Sequence, residues 1–166
     1  MFLWKVYGMI RALIVDDEVH ARDELEVLLI ETRVFSVVGK CDNAIGALEA
    51  IKREKPQVLF LDVQMPGITG LELLAMIDED IMPVVVFVTA HDLYAIKAFE
   101  ENAFDYLLKP VEKQRLAKTV LKLKKKLSEN LPIFVPGTEI KRIPCIAANR
   151  IKLIPVLFFV IFINTA

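Results

Sequence analysis

Five short runs rich in β-branched and aliphatic residues recur along the chain, each followed by apolar residues at helical spacing. This alternation constrains the fold more than any other feature. Ile10–Val15, Phe35–Val38, Val58–Leu61, Val84–Val88 and Tyr106–Leu108 read as strands. Several are apolar on both faces, as strands buried in a parallel sheet must be. Ala21/Leu25/Leu28/Leu29, Ala47/Leu48/Ile51, Leu71/Leu74/Ala75, Ala95/Ala98/Phe99 and Leu116/Val120/Leu123/Leu127 follow the i, i+3, i+4, i+7 pattern of amphipathic helices. Five consecutive strand–helix units predict an α/β fold. The sheet is expected to be parallel, five-stranded and doubly wound, with helices on both faces, because right-handed crossovers leave few other topologies.

The chain has 166 residues, enough for one domain with a full core and an appendage. The strand–helix units occupy about residues 9–127. Pro132 and Pro136-Gly137 then punctuate a linker expected at 128–138. A strand-like segment, Ile140–Ile146, follows within the remaining stretch, 139–166. Leu153 to Ile163 is an apolar run broken only by Pro155. It is too short for the ~20 residues of a membrane-spanning helix and reads as a buried strand or a stretch foreign to the fold, so no membrane association is expected. At the other end, Met1–Gly8 is too brief an apolar stretch for a signal peptide, and Met9 opens the regular pattern.

Charge separates the two parts. Residues 1–111 hold 10 Lys/Arg against 19 Asp/Glu, whereas residues 112–166 hold 11 against 3. An acidic module followed by a basic one is compatible with a regulator joined to a nucleic-acid-binding part. Seven of the eleven cations lie between Lys113 and Lys126, however, so most of the asymmetry is one solvated helix face. Cys41 and Cys145 lack CxxC spacing, which gives no metal site or disulfide framework and fits a reducing cytoplasm.

Ligands of doubly wound sheets bind outside the carboxyl ends of the strands, and the unusual residues fall there. Asp16 and Asp17 end the first strand, Asp62 the third, Thr89 the fourth and Lys109 the fifth. Singly, each has an ordinary reading: an acidic pair before a helix serves as a cap and dipole partner, and a Thr or Lys is simply solvated. Placement on four strand ends together is much harder to obtain by accident. Three carboxylates converging on one edge repel and need a compensating cation. Mg²⁺ is expected, a hard ion bound by few carboxylates plus waters and phosphate oxygens. Asp62 is then the candidate nucleophile toward a phosphoryl donor, with Lys109 as fixed counter-charge and the Thr89 hydroxyl as a donor to a phosphoryl oxygen.

These residues sit in the strings LIVDDE (Leu13–Glu18), LFLDVQMPGITGLELL (Leu59–Leu74), FVTAH (Phe87–His91) and FDYLLKPV (Phe104–Val111). Together they resemble the response-regulator receiver family of bacterial two-component systems, a flavodoxin-like (βα)5 fold. The resemblance implies that Asp62 is the phosphoacceptor, that Asp17 ligates Mg²⁺ directly and Asp16 through water, and that the Gln64 carbonyl completes the metal shell. It implies that Thr89 and Tyr106 form a switch pair, with the ring turning inward behind the hydroxyl, and that Lys109-Pro110 is a cis peptide. It further implies a cytoplasmic protein that catalyses only its own phosphorylation and dephosphorylation. The phosphoryl group is expected to come from a sensor histidine kinase, and homodimers to form on phosphorylation. Beyond the linker, KRIPCIAANRIKLIP (Lys141–Pro155) resembles the opening of the LytTR-type DNA-binding domain, which implies control of transcription. After Pro155 the sequence departs from that pattern. The expectation is a truncated DNA-binding domain, with DNA as a partner of fuller relatives rather than of this chain.

Three other readings compete. A stand-alone receiver would act by protein–protein contact alone. A haloacid-dehalogenase-type phosphatase would carry its nucleophile after the first strand, where this chain reads Asp16-Asp17-Glu18-Val19. A flavodoxin-like electron carrier needs a Ser/Thr/Gly-rich phosphate loop that Asp16-Asp17-Glu18 would repel. His20 and His91 read as solvated loop histidines.

Overall fold

A computed structural model describes residues 8–90, 103–129, 142–147 and 150–155. The chain falls into two compact units, Met1–Lys122 and Leu123–Ala166. Within the first, β1 (Ile10–Val15), α1 (Val19–Glu31), β2 (Phe35–Cys41), α2 (Ala44–Glu54), β3 (Val58–Leu61), α3 (Gly70–Ala75), β4 (Val84–Thr89), β5 (Asp105–Leu108) and the start of α4 (Lys113–Glu129) follow one another. The helix expected around Ala95, Ala98 and Phe99 lies outside the described residues, as does His91. His20 is exposed on α1.

The five strands form one sheet in the order β2-β1-β3-β4-β5, and every neighbouring pair is parallel. The expected doubly wound architecture is therefore the observed one. The chain leaves β1 for β2 on one side and then crosses to β3 on the other, so strand order reverses between β1 and β3 and opens a crevice at their carboxyl ends. All four residues of β3 are buried, which follows from their apolar character on both faces of a central strand. Leu13, Leu59, Leu61, Phe87, Ile51 and Leu73 are fully buried in the main cluster, and the Phe35 and Phe60 rings meet edge to face with centroids 5.6 Å apart. Dense burial here makes the ends of the central strands rigid platforms, so side chains placed on them are held in fixed relation.

Helix ends follow from local chemistry. Asn43 accepts from the Gly46 N–H at 2.8 Å and caps α2, and Lys55 closes that helix in the left-handed region. Thr69 and Glu72 form a reciprocal capping box at the start of α3. Some strands exceed their expected bounds. β2 runs on to Cys41, β4 to Thr89, and β5 begins at Asp105.

In the second unit, β6 (Arg142–Ala147) pairs antiparallel with β7 (Arg150–Pro155). β6 matches the expected Ile140–Ile146 strand within two residues. The apolar run expected from Leu153 contributes only its first three residues to β7; positions 156–166 lie outside the described residues. α4 extends to Glu129, two residues into the expected linker, and 130–138 are likewise not described. Among the described residues no helix is long and apolar enough to cross a membrane.

Candidate functional site

The β1–β3 ladder continues one step past both strands: the Asp62 N–H donates to the Val15 carbonyl at 2.8 Å. Asp16 is held on its other side, its N–H donating to the Cys41 carbonyl at 3.0 Å. The two carboxylates are thereby set side by side at the switch point, and both side chains are only 5% exposed. Each spends Oδ1 on its own loop. Asp16 Oδ1 accepts from the Glu18 N–H at 2.9 Å, and Asp62 Oδ1 accepts from the Gln64 N–H at 3.1 Å, the local turn bonding typical of aspartate. Each offers Oδ2 to the same cation: Lys109 Nζ lies 2.7 Å from Asp16 Oδ2 and 2.7 Å from Asp62 Oδ2.

Lys109 reaches this point from the end of β5, where its N–H donates to the Thr89 carbonyl at 2.9 Å and its bond to Pro110 is cis. Burial alone would lower the Lys109 pKa, but its hydrogen bonds to Asp16 and Asp62 outweigh that effect and raise it. Burial pushes the Asp16 pKa up, and Lys109 offsets only part of the rise. The exposed Asp17 completes the edge: carboxylate oxygens of Asp16, Asp17 and Asp62 lie within 4.8 Å of one another. Three hard oxygen donors converging in this way fit a small divalent cation with open positions for other ligands.

Thr89 stands at the end of β4, fully buried, and among the described residues its Oγ1 has no hydrogen-bond partner. An orphaned buried hydroxyl costs on the order of 1–3 kcal/mol, so a group that accepts from it is favoured at this edge. Tyr106 is buried in the main apolar cluster.

The structure thus brings Asp16, Asp17, Asp62, Lys109 and Thr89 to one edge and places Gln64 in the adjoining loop. It also assigns importance to residues that sequence reading passed over. Gly70 donates its N–H to the Val63 carbonyl at 2.9 Å, and a Cβ there would fall 2.1 Å from the Asp62 carbonyl oxygen. Only glycine lets α3 start this close to the loop that follows β3. Arg22 on α1 donates to the Asp16 carbonyl.

A further carboxylate, Asp105 at the start of β5, is 2% exposed and fully engaged. It accepts from Arg115, Thr119 and the Tyr106 N–H. Burial acts to raise its pKa, but these hydrogen bonds, Arg115 first, prevail and hold it down to about 2. A depressed carboxylate stabilises the fold above its unfolded pKa, near 3.8, and that contribution disappears as pH falls through the folded value. Asp105→Asn is expected to cost ~1–2 kcal/mol at neutral pH, allowing for solvent around Arg115. The gap to the parent chain should narrow between about pH 4 and pH 2. Chemical denaturation across that range checks it; a gap independent of pH would show that Asp105 carries no such charge.

Comparison with known proteins agrees with this geometry. The response regulator receiver domain profile matches residues 12–121. An uncharacterized response regulatory protein of Vibrio cholerae is 53% identical over 150 residues, covering 89% of this chain and 62% of the relative. The transcriptional regulatory protein BtsR of Escherichia coli K12 is 48% identical over 148 residues, covering 88% and 62%. The chain spans about three fifths of the length of these curated relatives. Among solved structures, the response regulatory domain of mrkE from Klebsiella pneumoniae is similar with a TM-score of 0.65 and 31% identity, covering 72% of this chain and 99% of that one. The REC domain of AraT, a response regulator from Geobacillus stearothermophilus, has a TM-score of 0.66 and 33% identity, with coverage of 74% and 98%.

Proposed function

The chain belongs to the response regulator receiver family, and from that premise we propose that it accepts a phosphoryl group from a sensor histidine kinase on Asp62 and thereby controls transcription. The observation that supports this reading is a single ammonium, Lys109 Nζ, 2.7 Å from both Asp16 and Asp62, at the edge where three carboxylates gather. Asp62 attacks the donor phosphorus through a carboxylate oxygen. A new O–P bond forms while the bond from phosphorus to the donor breaks, and the leaving group departs with the electron pair. The reaction is mainly positioning and charge compensation, which is what this edge supplies. Lys109 offsets the negative charge of the transferred group. Asp16, Asp17, Asp62 and the Gln64 carbonyl would hold Mg²⁺, which would supply positive charge to offset the acidic cluster and the transferred phosphoryl group. The Thr89 hydroxyl, without a partner among the described residues, donates to the arriving phosphoryl oxygen, and Tyr106 packs inward behind it.

The output belongs to the same proposal. The BtsR relative bears the name of a transcriptional regulatory protein, and Lys141–Pro155 resembles the start of a LytTR-type DNA-binding domain. The β6–β7 hairpin is compatible with the β-type architecture of such a domain. Phosphorylation in the cytoplasm, with pairing of two receivers as its consequence, completes the scheme.

Mg²⁺ dependence tests the proposal. With acetyl phosphate as donor, the chain is expected to be labelled in Mg²⁺ and not in chelator. A cation at 100 times its Kd adds ~2.7 kcal/mol, or several degrees of melting temperature. Asp17→Ala should abolish that Mg²⁺-induced rise and slow labelling at least about tenfold at limiting Mg²⁺. In chelator it should be no less stable than the parent, since an exposed member of a repelling cluster has gone. A variant with the parent's Mg²⁺ response and labelling rate would show that Asp17 only begins the helix.

A further inference from the structure

β5 is only four residues long and stands at the edge of the sheet, where, among the described strands, it pairs with β4 alone. Yet it carries Tyr106, and Lys109 follows one residue after its end. A short edge strand with one ladder is a weak platform for an ammonium that must stay 2.7 Å from two carboxylates. The missing restraint comes from α4. Arg115 spreads its guanidinium over three groups of this region: one terminal nitrogen donates to Asp105 Oδ2 at 3.1 Å and Thr119 Oγ1 at 3.0 Å, the other to Asp105 Oδ1 and the Tyr106 carbonyl at 2.6 Å each. Thr119 Oγ1 donates to Asp105 Oδ2 at 2.8 Å and Lys122 Nζ to Asp105 Oδ1 at 3.3 Å, but the hydrogen bonds of these two side chains do not reach the Tyr106 backbone.

We propose that Arg115 is a positioning residue for phosphoryl acceptance: by tying both Asp105 and the Tyr106 carbonyl to α4 it holds the end of β5, and so holds Lys109 Nζ between Asp16 and Asp62. The proposal rests on the reading of Asp62 as phosphoacceptor and Lys109 as its counter-charge. Its chemical basis is the planar fork of arginine, which reaches a carboxylate and a carbonyl at once; a lysine ammonium keeps the charge and loses the second anchor. A displacement of about 1 Å at a reacting centre is enough to cost up to ~10²-fold in rate. A clamp three residues away from Lys109 is therefore expected to register in kinetics before it registers in stability.

Arg115→Lys and Thr119→Val separate positioning from stability. Thr119→Val removes one donor to Asp105 and one acceptor of an Arg115 terminal nitrogen, and leaves the Tyr106 carbonyl bond, made by the other nitrogen, in place. The full chain and both variants are labelled with acetyl phosphate in saturating Mg²⁺, and plateau rate, half-saturating donor concentration and melting temperature are recorded. Thr119→Val should melt a few degrees lower and keep the parent's plateau rate. Arg115→Lys should melt no lower than Thr119→Val and lose about tenfold or more in plateau rate. Arg115→Gln, which carries an amide donor without charge, should lose as much, so a folding failure of one variant leaves the other to decide. A parent-like plateau rate in the arginine variants, or an equal loss in Thr119→Val, overturns the proposal. A parent chain that is not labelled on Asp62 at all would instead overturn the underlying reading.

Discussion

Lys109→Met, which keeps an apolar stem and removes the ammonium, is expected to slow phosphorylation by small donors by about 10²–10³-fold, the usual cost of losing one preorganised charge-stabilising group. Its effect on stability should be equally plain. The parent chain holds two carboxylates, each 5% exposed, against one shared cation. Removing one member of a buried ionic cluster leaves uncompensated charge and costs on the order of 3–5 kcal/mol. Burial already raises the Asp16 pKa while Lys109 pulls it down, so the variant must raise it further. A carboxylate with a raised folded pKa destabilises the fold fully above that value, and the cost shrinks away as pH falls from there to the unfolded value. In chelator, Lys109→Met should therefore be far less stable than the parent at pH 7 and recover toward it on acidification, and Mg²⁺ should restore stability without restoring rate. The parent's own Lys109 pKa is raised, so its contribution is complete at neutral pH and is lost only in strong alkali. Denaturation curves and labelling rates check both parts. A variant with parent stability in chelator and a parent rate would remove Lys109 from the account.

The strand ends were legible in the sequence because β3, β4 and most of β1 are apolar on both faces, a pattern that only burial in a parallel sheet explains. Once the strands are placed, Asp16, Asp62, Thr89 and Lys109 fall at one edge by topology alone. Periodicity faded where solvent entered. Gly39, Lys40 and Cys41 extend β2 beyond its expected end because an edge strand need not be apolar, and its ladder with β1 also shifts register between Ala12 and Leu13. The apolar run expected from Leu153 overlaps β7 over 153–155, and its remainder lies outside the described residues. The strand begins at Arg150.

Other features are tertiary facts with no local signature. Gly70 looks like any helix-start glycine until the Asp62 carbonyl is found where its Cβ would be. Asp105 and Arg115 are ten residues apart, on a strand and a helix, and nothing in their spacing announces that they meet. Likewise, strand ends locate Lys109 near the acidic cluster, but that a single ammonium spans Asp16 and Asp62 follows only from the packed sheet.

Site-resolved detection of the acyl phosphate bears most directly on the account. Asp62, just beyond the β3 terminus, combines membership of the acidic cluster, a loop-anchored carboxylate and contact with Lys109. Asp16 shares the lysine, but its own backbone is held by both Cys41 and Arg22, as a fixed support requires. Asp62→Asn keeps the side chain's size and removes the nucleophilic carboxylate, so its expected loss is total within detection rather than fractional. The chain and this variant are incubated with acetyl phosphate and Mg²⁺, and intact mass and peptide mapping are then compared. One phosphoryl group per chain, mapped to the peptide containing Asp62 and absent from Asp62→Asn, is the predicted result; stoichiometric labelling of the variant, or a label on another residue of the parent chain, would contradict it.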